Sequence, residues 1–108
     1  MHIPAQESLE QLAGARKLFI ELFTHGSLAV EIYKPYKLDL QQPHTRDELY
    51  VVVAGTGKFF YEGKTVAFKP GDVLFAAAHK EHRFLDFSDD FSTWVIFYGP
   101  EGGEMKGE

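Results

Sequence analysis

Cysteine is absent from this chain of 108 residues. Disulfides and thiolate-held metals are therefore excluded, and any metal has to be held by nitrogen and oxygen. A basic cluster is lacking too, and the formal net charge is -5. Phosphate backbones need a positive footprint, so no nucleic-acid partner is expected. No apolar run reaches the roughly 18 residues a spanning helix needs, so no membrane span is expected. The first residues show no basic stretch leading into an apolar one, so no secretory signal is expected and the cytoplasm is the expected compartment. Tryptophan occurs once, yet aromatics make up 15% of the chain, with ten Phe and five Tyr. Rings of this kind pack well on a pleated surface and point to a β-rich fold. At this length one domain with a modest core is expected.

Residues 1–15 read as a short helix or a loose arm. Residues 8–11, Ser-Leu-Glu-Gln, have capping-box spacing, and Gly14 offers a stop. From residue 16 the pattern becomes short β runs: residues 17–23, 27–33, 49–54, 58–62, 65–68, 73–77, 82–87 and 92–98. In the second run Leu28, Val30 and Ile32 alternate with Ala29 and Glu31. Gly, Pro or Asp punctuates most of the breaks, at His25-Gly26, Gly55-Thr56-Gly57, Gly63, Pro70-Gly71-Asp72 and Asp89-Asp90. Some eight strands at this spacing predict an antiparallel sandwich or barrel over residues 16–99. Residues 100–108, rich in glycine, are expected to be a flexible tail.

The chemistry concentrates in two places. His44 and Glu48 precede an apolar run that ends at Gly55, and His82 follows Pro70-Gly71-Asp72 and His79. Two imidazoles and one carboxylate on a shared face hold a divalent transition metal and leave positions open for water or substrate. On a straight strand, residues four apart lie about 13 Å from each other. His44 and Glu48 can meet at one ion only if the chain bends at residues 45–47, or if Pro43 starts a helical turn. On residues alone the competing reading, surface His and Glu at a strand edge, stays open. So does a role for Asp47 in place of Glu48, and for His79 as a second imidazole or proton shuttle. Tyr50 shares parity with Glu48, and its hydroxyl can meet a bound ligand or be satisfied in the core. Arg46 can fork a substrate carboxylate or pair with Asp47 or Glu48. Trp94, with Phe75, Phe84 and Phe97, lines an aromatic pocket or belongs to the core.

Two stretches resemble the motifs of small single-domain cupins, in the right order. Gln42-Pro43-His44, three residues, Glu48, six residues and Gly55 match the first motif. Gly71, then Ala77-Ala78-His79, His82 and Asp86 match the spacing of the second. Three departures stand out: Gln42 takes the place of the first His, and Ala77 and His79 replace a Pro and a Gly. The resemblance covers residues 28–98. It implies an all-β, antiparallel jelly-roll barrel, a double-stranded β-helix. His44, Glu48 and His82 would point at one divalent ion (Zn, Fe, Mn or Ni), with Gln42 as a weaker fourth donor. It also implies a small-molecule ligand and a homodimer formed by adding residues 17–23 to a partner's sheet. Function divides between a metal-dependent enzyme of the oxygenase or isomerase type and a binding or sensing module without chemistry.

Overall fold

In the computed structural model, which describes residues 1–105, one helix precedes eight strands: α1 (Ala5–Ala15), β1 (Phe19–His25), β2 (Leu28–Tyr33), β3 (Asp47–Ala54), β4 (Gly57–Tyr61), β5 (Lys64–Phe68), β6 (Val73–Ala76), β7 (His82–Leu85) and β8 (Ser92–Tyr98). All strand pairs are antiparallel. They form a five-stranded sheet in the order β1-β2-β8-β3-β6 and a three-stranded sheet in the order β5-β4-β7. This is the expected jelly roll.

Turn chemistry sets the breaks. Glu62 and Gly63 both have positive φ (48° and 82°) between β4 and β5, the two-residue turn whose twist matches a hairpin. Gly55 has φ 85°, and a Cβ there would lie 2.5 Å from the Phe91 Cα. Only glycine fits where these two backbones cross.

The core is aromatic. Phe84 packs edge-on to Tyr50 at 4.9 Å between ring centroids and sits 4.7 Å from Phe91, and Phe68 and Phe59 complete the cluster. Each buried ring removes a large apolar area from water, and offset or edge-on contacts add to that. On the larger sheet, cross-strand partners share a face, so Glu48 and Phe97, Tyr50 and Val95, and Val52 and Thr93 all point inward.

α1 begins at Ala5, earlier than the capping-box spacing predicts. Ser8 lies inside it, and its hydroxyl donates to the Pro4 carbonyl at 2.8 Å. Gly14 continues the helix, and Arg16, in the left-handed conformation at φ 55°, ends it. The helix packs on β1 and β2. This cover explains why Ile32 is fully buried although the opposite face of β2, bearing Ala29, Glu31 and Tyr33, looks into the barrel.

Two residues of the expected tail, Gly102 and Glu104, hydrogen-bond to the barrel. Gly102 N–H donates to the Thr45 carbonyl at 2.7 Å, and Glu104 N–H donates to Asp47 Oδ2 at 2.8 Å. Residues 106–108, part of the same expectation, lie outside the described residues.

Candidate metal centre

Each sheet contributes to one group of side chains. Glu48 sits near the start of β3, opposite Ala76 and Phe97, with no exposed surface. His82 opens β7 on the other sheet, opposite Tyr61, and is 3% exposed. His44 precedes β3 in irregular backbone, and a bend at residues 45–46 brings it back over Glu48. That bend resolves the spacing problem, since His44 Nε2 lies 3.7 Å from Glu48 Oε1 instead of a strand's length away. The His79 N–H holds the loop in place by donating to the His44 carbonyl at 2.7 Å. One donor atom from each of His44, Glu48 and His82 lies within 4.8 Å of the other two.

The electrostatics at His82 are specific. Its Nδ1 faces the Lys80 carbonyl at 2.8 Å, and a carbonyl only accepts, so Nδ1 carries the hydrogen. Nε2 then turns toward Glu48 Oε1 at 2.8 Å. The two atoms are close but not aligned as a hydrogen bond, and Glu48 Oε1, Glu48 Oε2 and His82 Nε2 are buried without a hydrogen-bond partner. Buried polar atoms without partners are costly. Two arrangements relieve the cost: a proton on His82 or a cation between the lone pairs. Burial alone pulls the His82 pKa down, but the adjacent Glu48 carboxylate, the Lys80 carbonyl and the more distant Asp39 outweigh it and raise the pKa above the ordinary value. The donor set fits a divalent ion. A carbonyl-anchored imidazole with its other nitrogen aimed inward is the usual arrangement of a metal-ligating His.

The other candidates separate by position. Tyr50 is fully buried beneath the group, and its hydroxyl lies 3.5 Å from Gln41 Oε1. Burial and the Glu48 charge push its pKa well above the ordinary value, so it is a neutral hydrogen-bonding group. Arg46 forms no ion pair with Asp47 or Glu48 among the described residues, and its Nη2 is buried without a partner. Asp47 points away from the group, because its carboxylate is spent on the Ala78 and Glu104 N–H groups at 2.8 Å each. The His79 side chain is exposed, and its contribution to the group is made through its backbone.

Two of the expected residues lie away from the group. Trp94 lies opposite Ile32 and Val51, on the face of the larger sheet away from the cavity, because β8 turns Val95 and Phe97 inward. Gln42 is exposed, and the place beside His44 belongs to Gln41, whose Oε1 is 3.1 Å from His44 Nε2. Residues 41–44 are irregular backbone, so a place in the motif does not fix which side chain turns toward His44.

Reasoning from sequence also missed Glu31. Its alternation with apolar neighbours suggests a solvent-facing carboxylate, yet Glu31 lines a cavity of about 230 Å³ with Phe19, Tyr33, Gln41, His44, Val95 and Phe97. Burial and the facing carboxylates of Glu21 and Glu48 push its pKa up to about 7. The signal available was Tyr33, which shares Glu31's parity. A second cavity of about 240 Å³ adjoins the first through Glu31, His44 and Phe97, and Arg46 lines it.

Residues 29–96 match the family model described as "Cupin domain". The chain belongs to the cupin family. A curated relative of this cupin, an uncharacterized protein of Streptomyces coelicolor, is 35% identical over 63 residues. The match covers 58% of this chain and 60% of the relative, so the chain spans less than two thirds of that relative's length. Among solved structures, the DMSP lyase DddQ from Ruegeria pomeroyi superposes with a TM-score of 0.64 at 26% identity, over 75% of this chain and 46% of that one. KdgF from Halomonas sp. gives 0.65 at 20% identity, over 74% and 76%. A cupin superfamily protein from Desulfitobacterium hafniense gives 0.62 at 19%, over 75% of each chain. The last two likenesses establish the fold alone.

Proposed function

We propose that this cupin holds one divalent metal through His44, Glu48 and His82 and acts on a small organic acid in the adjoining cavity. The observation that carries the reading is the set of buried lone pairs on Glu48 and His82 that meet without hydrogen-bonding. When bound, the ion supplies Lewis acidity toward a ligand oxygen. The chain's own groups do the rest. Arg46 has a buried Nη2 in want of an acceptor and suits a ligand carboxylate. Glu31, with a pKa near neutrality, can take or give a proton at the ligand. Phe19, Val95 and Phe97 exclude water from one side. A lyase- or isomerase-like proton transfer fits these parts better than an oxygenase, and the likeness to a DMSP lyase supports that choice. Trp94 has no part in the reading. A homodimer does.

Elemental analysis of protein grown in metal-replete medium is expected to give about one divalent ion per chain. His82→Ala is expected to lose it and His79→Ala to keep it; the opposite pattern sinks the assignment. Calorimetric screening of small carboxylates, with and without chelator, separates an enzyme from a binding module. Binding insensitive to chelator, with no turnover, would favour the module.

A further inference from the structure

The amide of Gln41 stands beside the His–Glu–His group in an orientation that the protein enforces. Asp39 lies behind it, 2% exposed, and an ionised carboxylate only accepts hydrogen bonds. Asp39 accepts from the Tyr33 hydroxyl at 2.7 Å, from the Gln41 backbone N–H at 3.2 Å, from Gln41 Nε2 at 2.9 Å and from the Phe84 N–H at 2.9 Å. The Arg83 guanidinium holds the Asp39 carbonyl at 2.8 Å. With Nε2 committed to Asp39, the amide oxygen of Gln41 must face the other way, toward His44 Nε2 at 3.1 Å and the Tyr50 hydroxyl at 3.5 Å.

The three donor separations along the row Gln41–His44–Glu48–His82 match those of neighbouring donors about one ion. With metal–donor distances of about 2.1 Å, two donors at right angles lie about 3.0 Å apart, and at a tetrahedral angle about 3.4 Å. The pairs His82 Nε2–Glu48 Oε1 at 2.8 Å, His44 Nε2–Gln41 Oε1 at 3.1 Å and His44 Nε2–Glu48 Oε1 at 3.7 Å bracket that range. We propose that Gln41 Oε1 is the fourth protein donor to the metal, and that Asp39 and Tyr33 are positioning residues that keep the amide oxygen, not its nitrogen, toward the ion. The inference rests on the metal reading above and adds what that reading lacks, a neutral oxygen donor delivered from irregular backbone through a buried carboxylate. Two imidazoles, one carboxylate and one amide oxygen make a harder donor set than three imidazoles and a carboxylate, so the site shifts its preference toward manganese and away from copper.

Titration of the metal-free protein with Co²⁺, followed by the visible d–d absorption and by competition with a chelator, tests this. Gln41→Leu is expected to weaken Co²⁺ about ten- to a hundredfold and to change the band shape, whereas Gln42→Leu leaves both unchanged. Asp39→Asn lets the amide turn over. It is expected to weaken Co²⁺ about tenfold and to give the Gln41→Leu spectrum. Should loss of the buried carboxylate prevent folding, Tyr33→Phe removes a single bond to Asp39 and is expected to give a smaller shift of the same sign. Gln41→Leu with the parent's affinity and spectrum overturns the proposal while leaving the metal site standing. A parent protein that takes up no Co²⁺ overturns both.

Discussion

Glu31 is an inward-facing carboxyl whose ionisation the barrel resists. Its pKa is about 7 folded, against 4.5 for the free group. Between those values the folded chain keeps a proton that the unfolded chain releases, so stability falls as pH rises through that window and levels off above it. Glu31→Gln removes this dependence. The stability of the variant relative to the parent is therefore expected to grow from pH 4.5 to 7 and then stay constant, measured by thermal unfolding of both proteins in chelator. A constant difference across that range would show that Glu31 titrates as a solvated carboxylate. The same residue shows where reading the sequence stopped. On a half-buried sheet, a Glu alternating with Val and Ile belongs on the wet face, but here α1 covers the apolar face of β2 and the barrel interior takes the other. Both faces are then covered, and parity alone cannot say which side is polar. Gln41 escaped for a different reason. The resemblance gives the place beside His44 to Gln42, but residues 41–44 are irregular backbone, where a motif position does not fix which side chain turns inward.

At the scale of elements, what was legible was the punctuation. All eight strands fall on the apolar runs, and Gly, Pro or Asp marks every break except residues 77–81 between β6 and β7, because those residues set backbone angles that the neighbouring strands cannot adopt. His44, Glu48 and His82 were legible because motif spacing constrains them, although their convergence depends on a bend that no local pattern announces. The ends were less legible. α1 starts without the predicted cap, and Glu104 docks through Asp47, which the sequence offers as a ligand or as a partner for Arg46. The glycines give a sharper test of the turn argument. Gly55 and Gly71 both have positive φ, 85° and 92°. A Cβ at Gly71 meets nothing within 4 Å, whereas at Gly55 it runs into the Phe91 backbone. Gly71→Ala is expected to cost about 1 kcal/mol, from backbone strain alone. Gly55→Ala is expected to cost about 3 kcal/mol, since the clash is with backbone that cannot swing aside. Equal losses in chemical denaturation would mean that the crossing of Gly55 and Phe91 gives way easily.

For the whole molecule, the open question is what covers the two ends of the larger sheet. β1 is an edge strand of seven residues, and β6 is the other edge, with four. An uncovered edge offers unpaired N–H and C=O groups to another chain, and a longer strand offers more of them. The β1 end also carries apolar surface. Leu18, Phe19 and Leu40 are 47%, 54% and 71% exposed, and they line a cavity of about 480 Å³ with Tyr33 and Gln41. The β6 end has Val73 and Phe75 exposed, on a strand too short for an extended ladder. A two-fold pairing of β1 with β1 of a second copy would satisfy the edge and bury these side chains together. Light scattering at high micromolar concentration is expected to give twice the 12.3 kDa chain mass. Phe19→Lys is expected to return the protein to monomer, while Phe75→Lys leaves the dimer intact. A monomeric parent, or a dimer broken by Phe75→Lys alone, would move the interface away from β1. Phe19 also lines the cavity beside His44, so its loss should register in ligand affinity as well as in mass. Because Phe19 belongs to both surfaces, the barrel mouth and the dimer edge share a wall, and ligand binding and association are expected to shift together with protein concentration.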